Sequence, residues 1–527
     1  MKKKSFLYKS KTIAIVFFSL TILYFFTESH AQNSAIINFD STHQIISGFG
    51  GANVIIFGRP NMTDSQIETA FGTGEGQLGF TILRLSIQNN SNQWSTNVNA
   101  ARKAYDMGAK IIASPWSPPA SMKSNSSTIG GELNESSYAD YAAHLNAFAD
   151  YMSNNGAPIY AISVQNEPDI SVTYESCDWS PSQMLKFVKE NGSSIGTRLM
   201  APESFQFRRN MSDPLLNDSI AAANLDIVAG HIYGGGLSQY PLAKEKGKEI
   251  WMTEYLINSG SSSSTNPTSV DTGLVGAIQT AKSIHDCMVA NMSAYVWWYI
   301  VRFYGPIDDG TFNSANAGSI TKKGYVMSQF ARFVRPGFFR IDATRNPQTG
   351  VYITAYKDSS KIIIIALNNS SLSKEQTFTL QGGSVSKFTP YITSVTKNCI
   401  QEDDITVSGN SFTVNLDPST ITTFISEYSP VDVGDFSKTP DEFHLFQNYP
   451  NPFNPSTTLS WHAPVSSRQT LKIYDILGNE VATIIDEFRP AGTYEVKFEA
   501  GKLTSGIYIY QLKAGSFVDT KKLMLLK

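Results

Sequence analysis

The sequence predicts an α/β protein built on a (β/α)8 TIM barrel, with a fused side β-sandwich domain and a C-terminal all-β domain. Three observations lead there. Across residues 45–305, eight short β-rich apolar runs alternate with longer helical patterns, the signature of parallel strands joined by crossover helices. That stretch is close to the roughly 250 residues such a barrel needs. Beyond Arg335-Pro336-Gly337 the long helical patterns stop, and short strands separated by turn residues take over.

The eight strand candidates are 44–51, 80–87, 110–115, 159–165, 198–202, 226–231, 250–254 and 294–299, with helices such as 138–152 between them. They define a barrel over 47–336. In a barrel of this kind chemistry sits at the C-terminal ends of the strands, and the notable polar residues cluster there. Strand patterns at 351–356, 362–368, 376–379 and 411–416 read as a small antiparallel β-domain over 337–427. Residues 32–46 supply it with an extra strand. A linker follows at 428–442, carrying Ser429-Pro430 and Thr439-Pro440. Residues 443–527 form a third unit with strands at 471–474, 481–485, 493–498 and 506–514.

The N-terminus carries a targeting signal. Lys2, Lys3 and Lys4 precede an apolar stretch over 13–26, and Ser29-His30-Ala31 is a small-x-small cleavage site. Residues 1–31 therefore read as a signal peptide, with no stable membrane span after processing. The rest of the composition is globular, with 41% hydrophobic and 17% charged residues in a chain of 527. The net charge of −3, without a basic run past the first residues, excludes nucleic acid as a partner. Cys177, Cys287 and Cys399 are odd in number and far apart, which argues against a disulfide framework and leaves one bridge open. No paired Cys or His spacing marks a metal site, and no cofactor is expected.

Two glutamates carry the chemistry. Asn166-Glu167-Pro168 follows the strand pattern Ile162-Ser163-Val164-Gln165, and Glu254 ends Ile250-Trp251-Met252-Thr253 in the same relative position. Glutamates on non-adjacent strands of one barrel can face each other across its mouth. Carboxyls about 5–5.5 Å apart are the geometry of a retaining glycosidase. Glu254 is then the nucleophile, and Glu167 the acid and later the base. Arg84 ends the second strand, where a cation holds the nucleophile ionised. Trp116 lies in Ser114-Pro115-Trp116-Ser117-Pro118-Pro119, a rigid loop whose ring is placed to stack on a sugar. His231 and Tyr233 follow the sixth strand and suit hydrogen bonding to Glu254 or to the sugar. A non-catalytic glycan-binding protein is the reading of another class, and the presence of both glutamates argues against it.

The ordered stretches Gly48-Phe49-Gly50-Gly51-Ala52, Leu83-Arg84, 113–125, 165–169, 174–179, 201–205, 231–235, 251–255 and 295–305, with Phe333-Val334-Arg335-Pro336-Gly337, resemble glycoside hydrolase family 30, and within it the bacterial glucuronoxylanase branch. The likeness covers residues 35–427. It implies a barrel with a side β-domain and hydrolysis of β-1,4 links in the polysaccharide glucuronoxylan, guided by a (4-O-methyl)glucuronic acid branch. The positions matching uronate recognition are Trp298, Arg302 and Tyr304, with Ser259 after the nucleophile; Asn166 adjoins the acid/base. One position departs: the family's tyrosine two residues after the nucleophile is Leu256 here. That leaves a uronate-independent xylanase, or another β-glycanase, as the alternative. Asn448-Tyr449-Pro450-Asn451-Pro452-Phe453-Asn454-Pro455, Tyr474-Asp475-Ile476-Leu477-Gly478 and 503–510 resemble a type A sorting domain of the type IX secretion system. This implies secretion machinery as a partner and a secreted or surface-attached product.

Overall fold

The computed structural model describes residues 33–258, 273–311, 316–428, 442–448, 450–501, 503–515 and 517–526. The signal-peptide reading, the interdomain linker after Tyr428 and Ser259 lie outside the described residues. The chain divides into two compact units after Tyr428.

In the first unit eight parallel strands close into a barrel. In chain order they are Gly48–Asn53, Ile82–Ile87, Lys110–Pro115, Ile159–Ser163, Arg198–Ser204, Ile227–His231, Glu249–Tyr255 and Ala294–Tyr299. The last pairs with the first, Phe49 opposite Tyr295, so no edge is left open. Closure is tight at Gly50, where an added Cβ would stand 1.9 Å from the Ile82 carbonyl oxygen. Helices start where the local sequence provides donors with partners: Ser180 and Gln183 form a capping box ahead of Pro181–Asn191, with proline at the first turn. The longest helix among the described residues, Tyr138–Asn154, buries Tyr141, Leu145, Phe148 and Met152 at helical spacing.

A second layer is a hydrogen-bonded sheet in which Ser34–Ile45 lies between Phe339–Ala343 and Lys374–Gln381. Its core is Ile37, Phe39, Ile364, Phe378, Phe412 and Phe424. The antiparallel expectation needs one correction: Ser34–Ile45 runs parallel to Lys374–Gln381, Ser34 opposite Thr377. A strand arriving from before the barrel is not bound by the short-turn constraint that makes sequential strands antiparallel. Five strands escaped the pattern: the two-residue Ile400–Gln401 and Ile405–Thr406, and the longer Phe339–Ala343, Lys387–Thr393 and Thr420–Glu427. The last is rich in threonine, whose β-branching favours strands although its hydroxyl resembles turn chemistry. All three cysteines are free and buried, so the bridge left open by composition is not formed.

The second unit is all β. Ser456–Ala463 pairs with Gly492–Glu499 and with His444–Leu445, and Ser467–Tyr474 pairs with Glu480–Arg489 and with Gly506–Ala514, which carries Phe517–Leu525 at its edge. Trp461, Leu471, Tyr510, Leu512 and Leu523 fill the core. Asn448 is buried: its backbone N–H donates to the Tyr510 hydroxyl at 2.8 Å and its amide to Thr457 Oγ1 at 2.9 Å. Among the described residues no helix is long and apolar enough to cross a membrane.

Candidate active site

The strand period of two builds the site from inside the barrel. Ile82, Ile112, Met200, Ile227, Ala229 and Trp251 belong to the apolar plug. Two residues further along their strands come Arg84, Ser114 and His231, one pleat nearer the C-terminal rim. Arg84 is wholly buried, an expensive place for a guanidinium unless every donor is met. Each of its three nitrogens finds an acceptor: Nη1 donates to Glu254 Oε2 at 2.6 Å, Nη2 to Asn166 Oδ1 at 2.6 Å, and Nε to Ser114 Oγ at 3.2 Å. Its plane lies over Trp116, 4.9 Å from the ring centroid. Against the cost of burial, Glu203 and Glu254 raise the basicity of Arg84 further. The Tyr233 hydroxyl donates to the other carboxylate oxygen, Glu254 Oε1, at 3.0 Å. Burial pushes Glu254 above the ordinary carboxylate value, and His231 and Arg84 oppose that push.

Glu167 sits just past the fourth strand with φ at +47°, a left-handed conformation unusual for a residue with a side chain. Its neighbours hold it there. Asn166 N–H donates to the Pro115 carbonyl at 2.9 Å, and Glu167 N–H to the Glu203 carbonyl at 3.1 Å. His231 Nδ1 lies 2.9 Å from Glu167 Oε1. Burial alone would make His231 less basic, but Glu254, Glu167 and Glu203 around it raise its pKa to about 9. It is therefore an imidazolium at neutral pH, donating to Glu167. Oxygens of Glu167 and Glu254 and a nitrogen of His231 all lie within 4.8 Å of one another.

A third carboxylate completes the cluster, and sequence reasoning gave it no role. Glu203 is wholly buried, with Oε1 3.2 Å from Arg84 Nη2 and 3.7 Å from His231 Nε2. Burial would raise its pKa, but Arg84 and His231 hold it well below the usual carboxylate range. Its signal was present: the fifth strand runs to Ser204, not Pro202, and so carries a glutamate one residue from its end, as the seventh does. Three carboxylates thus surround two cations. A metal ion would find Glu167, His231 and Glu254 close enough, but these donors already serve Arg84, Tyr233 and each other.

The acid pair opens into a cleft of about 400 Å³. A larger cavity of about 760 Å³ lies at the opposite end, beside the Arg198–Glu249 ion pair of the barrel floor, away from both acids. Trp298, Tyr233 and Tyr304 line the cleft. Trp116 lines the wall but differs from a rim platform: its ring is 2% exposed, covered by Phe57 and Trp298 at centroid distances of 6.3 and 5.8 Å. Arg302 reaches the cleft, yet its Nη1 donates to Asp309 Oδ2 at 2.7 Å, so it is already paired. Leu256 packs against the barrel core. Sequence reasoning also passed over Lys323, wholly buried, whose ammonium ties the Ile257 and Tyr304 carbonyls at 2.6 and 3.3 Å beside the cleft. Its signal is faint: a lysine inside a helix of otherwise buried residues.

The barrel and its fused sheet match known proteins over their whole length. Glucuronoxylanase XynC of Bacillus subtilis (strain 168) is 43% identical over 430 residues, 79% of this chain and 98% of the relative. The chain belongs to glycosyl hydrolase family 30. Residues 56–303 of this family 30 chain match the family described as "Glycosyl hydrolase family 30 TIM-barrel domain". Among solved structures, the family 30 subfamily 8 xylanase of Clostridium acetobutylicum matches with a TM-score of 0.69 at 36% identity, covering 75% of this chain and all (100%) of that one. A family 30 endoxylanase of Clostridium papyrosolvens matches with a TM-score of 0.66 at 39% identity, covering 75% and 100%. Residues 447–526 match the "Secretion system C-terminal sorting domain". The family 30 chain is thus a glycoside hydrolase carrying a type IX sorting tail, secreted or attached to the cell surface.

Proposed function

We propose that this hydrolase is a retaining endo-β-1,4-xylanase acting on glucuronoxylan, guided by (4-O-methyl)glucuronic acid branches. The observation that carries the reading is the pair of acid side chains within 4.8 Å at one cleft, in a chain similar to a glucuronoxylanase and to two xylanases. The barrel, 47–336, does the chemistry; 32–46 and 337–427 buttress it; 443–527 engages the secretion machinery.

In the first step Glu254 attacks the anomeric carbon while Glu167 gives its proton to the departing glycosidic oxygen, breaking the C–O bond. Arg84 and Tyr233 hold one Glu254 oxygen each, which fixes the line of attack. The imidazolium of His231 holds Glu167 Oε1, leaving Oε2 for the leaving group. In the second step Glu167 takes a proton from water, and the water oxygen displaces Glu254 from the anomeric carbon. Two displacements return the original configuration. Asn166 is suited to a sugar hydroxyl, and Trp298 and Tyr304 form walls for the sugar rings.

A second reading keeps this mechanism without the branch requirement. It is favoured by Leu256 and by the pairing of Arg302 with Asp309. The test is product analysis on glucuronoxylan, with NMR of the first-formed anomer. The proposal expects a β-anomer and a ladder in which each product carries one uronate at a fixed place. Products indifferent to the branch select the second reading, and an α-anomer removes the retaining step. Glu254→Gln should lower reducing-end release by at least about 10³-fold; undiminished release would take Glu254 out of the mechanism.

A further inference from the structure

The loop after the first barrel strand brings a second guanidinium to the cleft. Phe57 packs edge-on against Tyr174, Trp116 and Trp298 at 5.4, 6.3 and 6.4 Å, which pins the loop to the aromatic wall. Gly58 then turns the chain at φ +66°, with open space where a side chain would stand. Arg59 follows, and Pro60 fixes the backbone behind it. Arg59 is exposed, lines the same cleft as the acid pair, and forms no ion pair with any described residue. Arg302 lines the cleft too, but differs in exposure and in pairing. It is 13% exposed and salt-bridged to Asp309, whose other oxygen accepts from the Thr311 N–H at 2.9 Å. Arg59, Tyr299, Arg302 and Tyr304 line one and the same cleft. There, Arg302 is paired with Asp309, while Arg59 forms no ion pair with a described carboxylate.

We infer that Arg59 is a specificity-determining residue of this cleft, presenting its guanidinium fork to the carboxylate of a uronate branch beside the Arg302–Asp309 pair. The inference rests on the glucuronoxylanase reading above. A single carboxylate suits the arrangement. A planar fork accepts it in two parallel hydrogen bonds, whereas a polyanion would bring added charge towards Glu167 and Glu254. A loop cation also explains how a branch can be read although Leu256 replaces the tyrosine expected there.

The test compares glucuronoxylan with the same polymer after chemical reduction of its carboxyl groups, so that only the charge of the branch changes. Wild-type enzyme should prefer the native polymer in kcat/KM. Arg59→Gln should lower the native-to-reduced ratio about 10-fold, chiefly through KM, and Arg59→Lys should restore part of it. The side chain is exposed, so thermal unfolding of the variant should match the wild type. A ratio that Arg59→Gln leaves in place overturns the inference while the branch-guided reading stands. Wild-type indifference to carboxyl reduction overturns both.

Discussion

Glu203→Gln removes one carboxylate from a buried cluster of three anions and two cations without changing its volume. Arg84 is nearer, at 3.2 Å, but stays protonated; the group whose charge responds is His231, whose Nε2 stands 3.7 Å from Glu203 Oε1. At an effective dielectric of about 20, a unit charge at that range is worth about 4 kcal/mol, or roughly 3 pH units. Relaxation of Arg84 towards Glu254 will absorb part of this, so a fall of about 2 units from the native value near 9 is expected. The sign follows from the direction of the native shift. A histidine whose folded pKa is raised contributes stability that is fully present below its ordinary value of 6.5 and is lost as pH rises through about 9. The variant should therefore lose the hydrogen-bonded imidazolium at Glu167 well before the wild type. Two assays read this: kcat/KM on xylan between pH 5 and 10 (roughly the window set by the ordinary and shifted values), and imidazole NMR of His231. The alkaline limb of the profile and the imidazole titration should move down together. If both stay within about 0.3 units of wild type in a variant that melts normally, Glu203 does not set the charge of His231.

Two further outcomes can be checked on the same preparation. Arg84→Met leaves Glu203 and Glu254 buried without their shared cation and should cost about 3–5 kcal/mol in urea unfolding; a loss under about 1 kcal/mol would mean that water or another donor already serves these carboxylates. Tyr233→Phe deletes the hydroxyl that donates to Glu254 Oε1 at 3.0 Å. It should lower kcat about 10- to 100-fold with little change in stability, and an unaltered kcat would deny that this bond orients Glu254 for the reaction.

The ends of strands were the most legible part of the site, because a carboxylate after a run of apolar residues is conspicuous. Glu167 and Glu254 stand out for that reason, and the two-residue period carries Arg84 inward from Leu83 and Leu85. Glu203 was hidden by Pro202, which reads as a stop although the strand continues to Ser204. The pairing of Arg302 with Asp309 lies within seven residues but in an irregular loop, where no period predicts direction. Strands such as Ser456–Ala463 were missed because their buried positions, Thr457, Leu459, Trp461 and Ala463, alternate with serine, threonine and histidine. The core is visible only once the pleat is assumed.

The strand Ser34–Ile45 has neighbours that arrive very late. Ile37 waits for Ala343 and Ser34 for Thr377, some three hundred residues downstream. As the chain emerges from the ribosome or threads across a membrane, its first strand is an orphan until nearly the whole unit has followed. Loop closure over such separations is slow. The opening strand therefore cannot pair until the barrel has been made, as a hasp shuts a finished box, and a chain cut short anywhere in the barrel has nothing for its opening strand to hold.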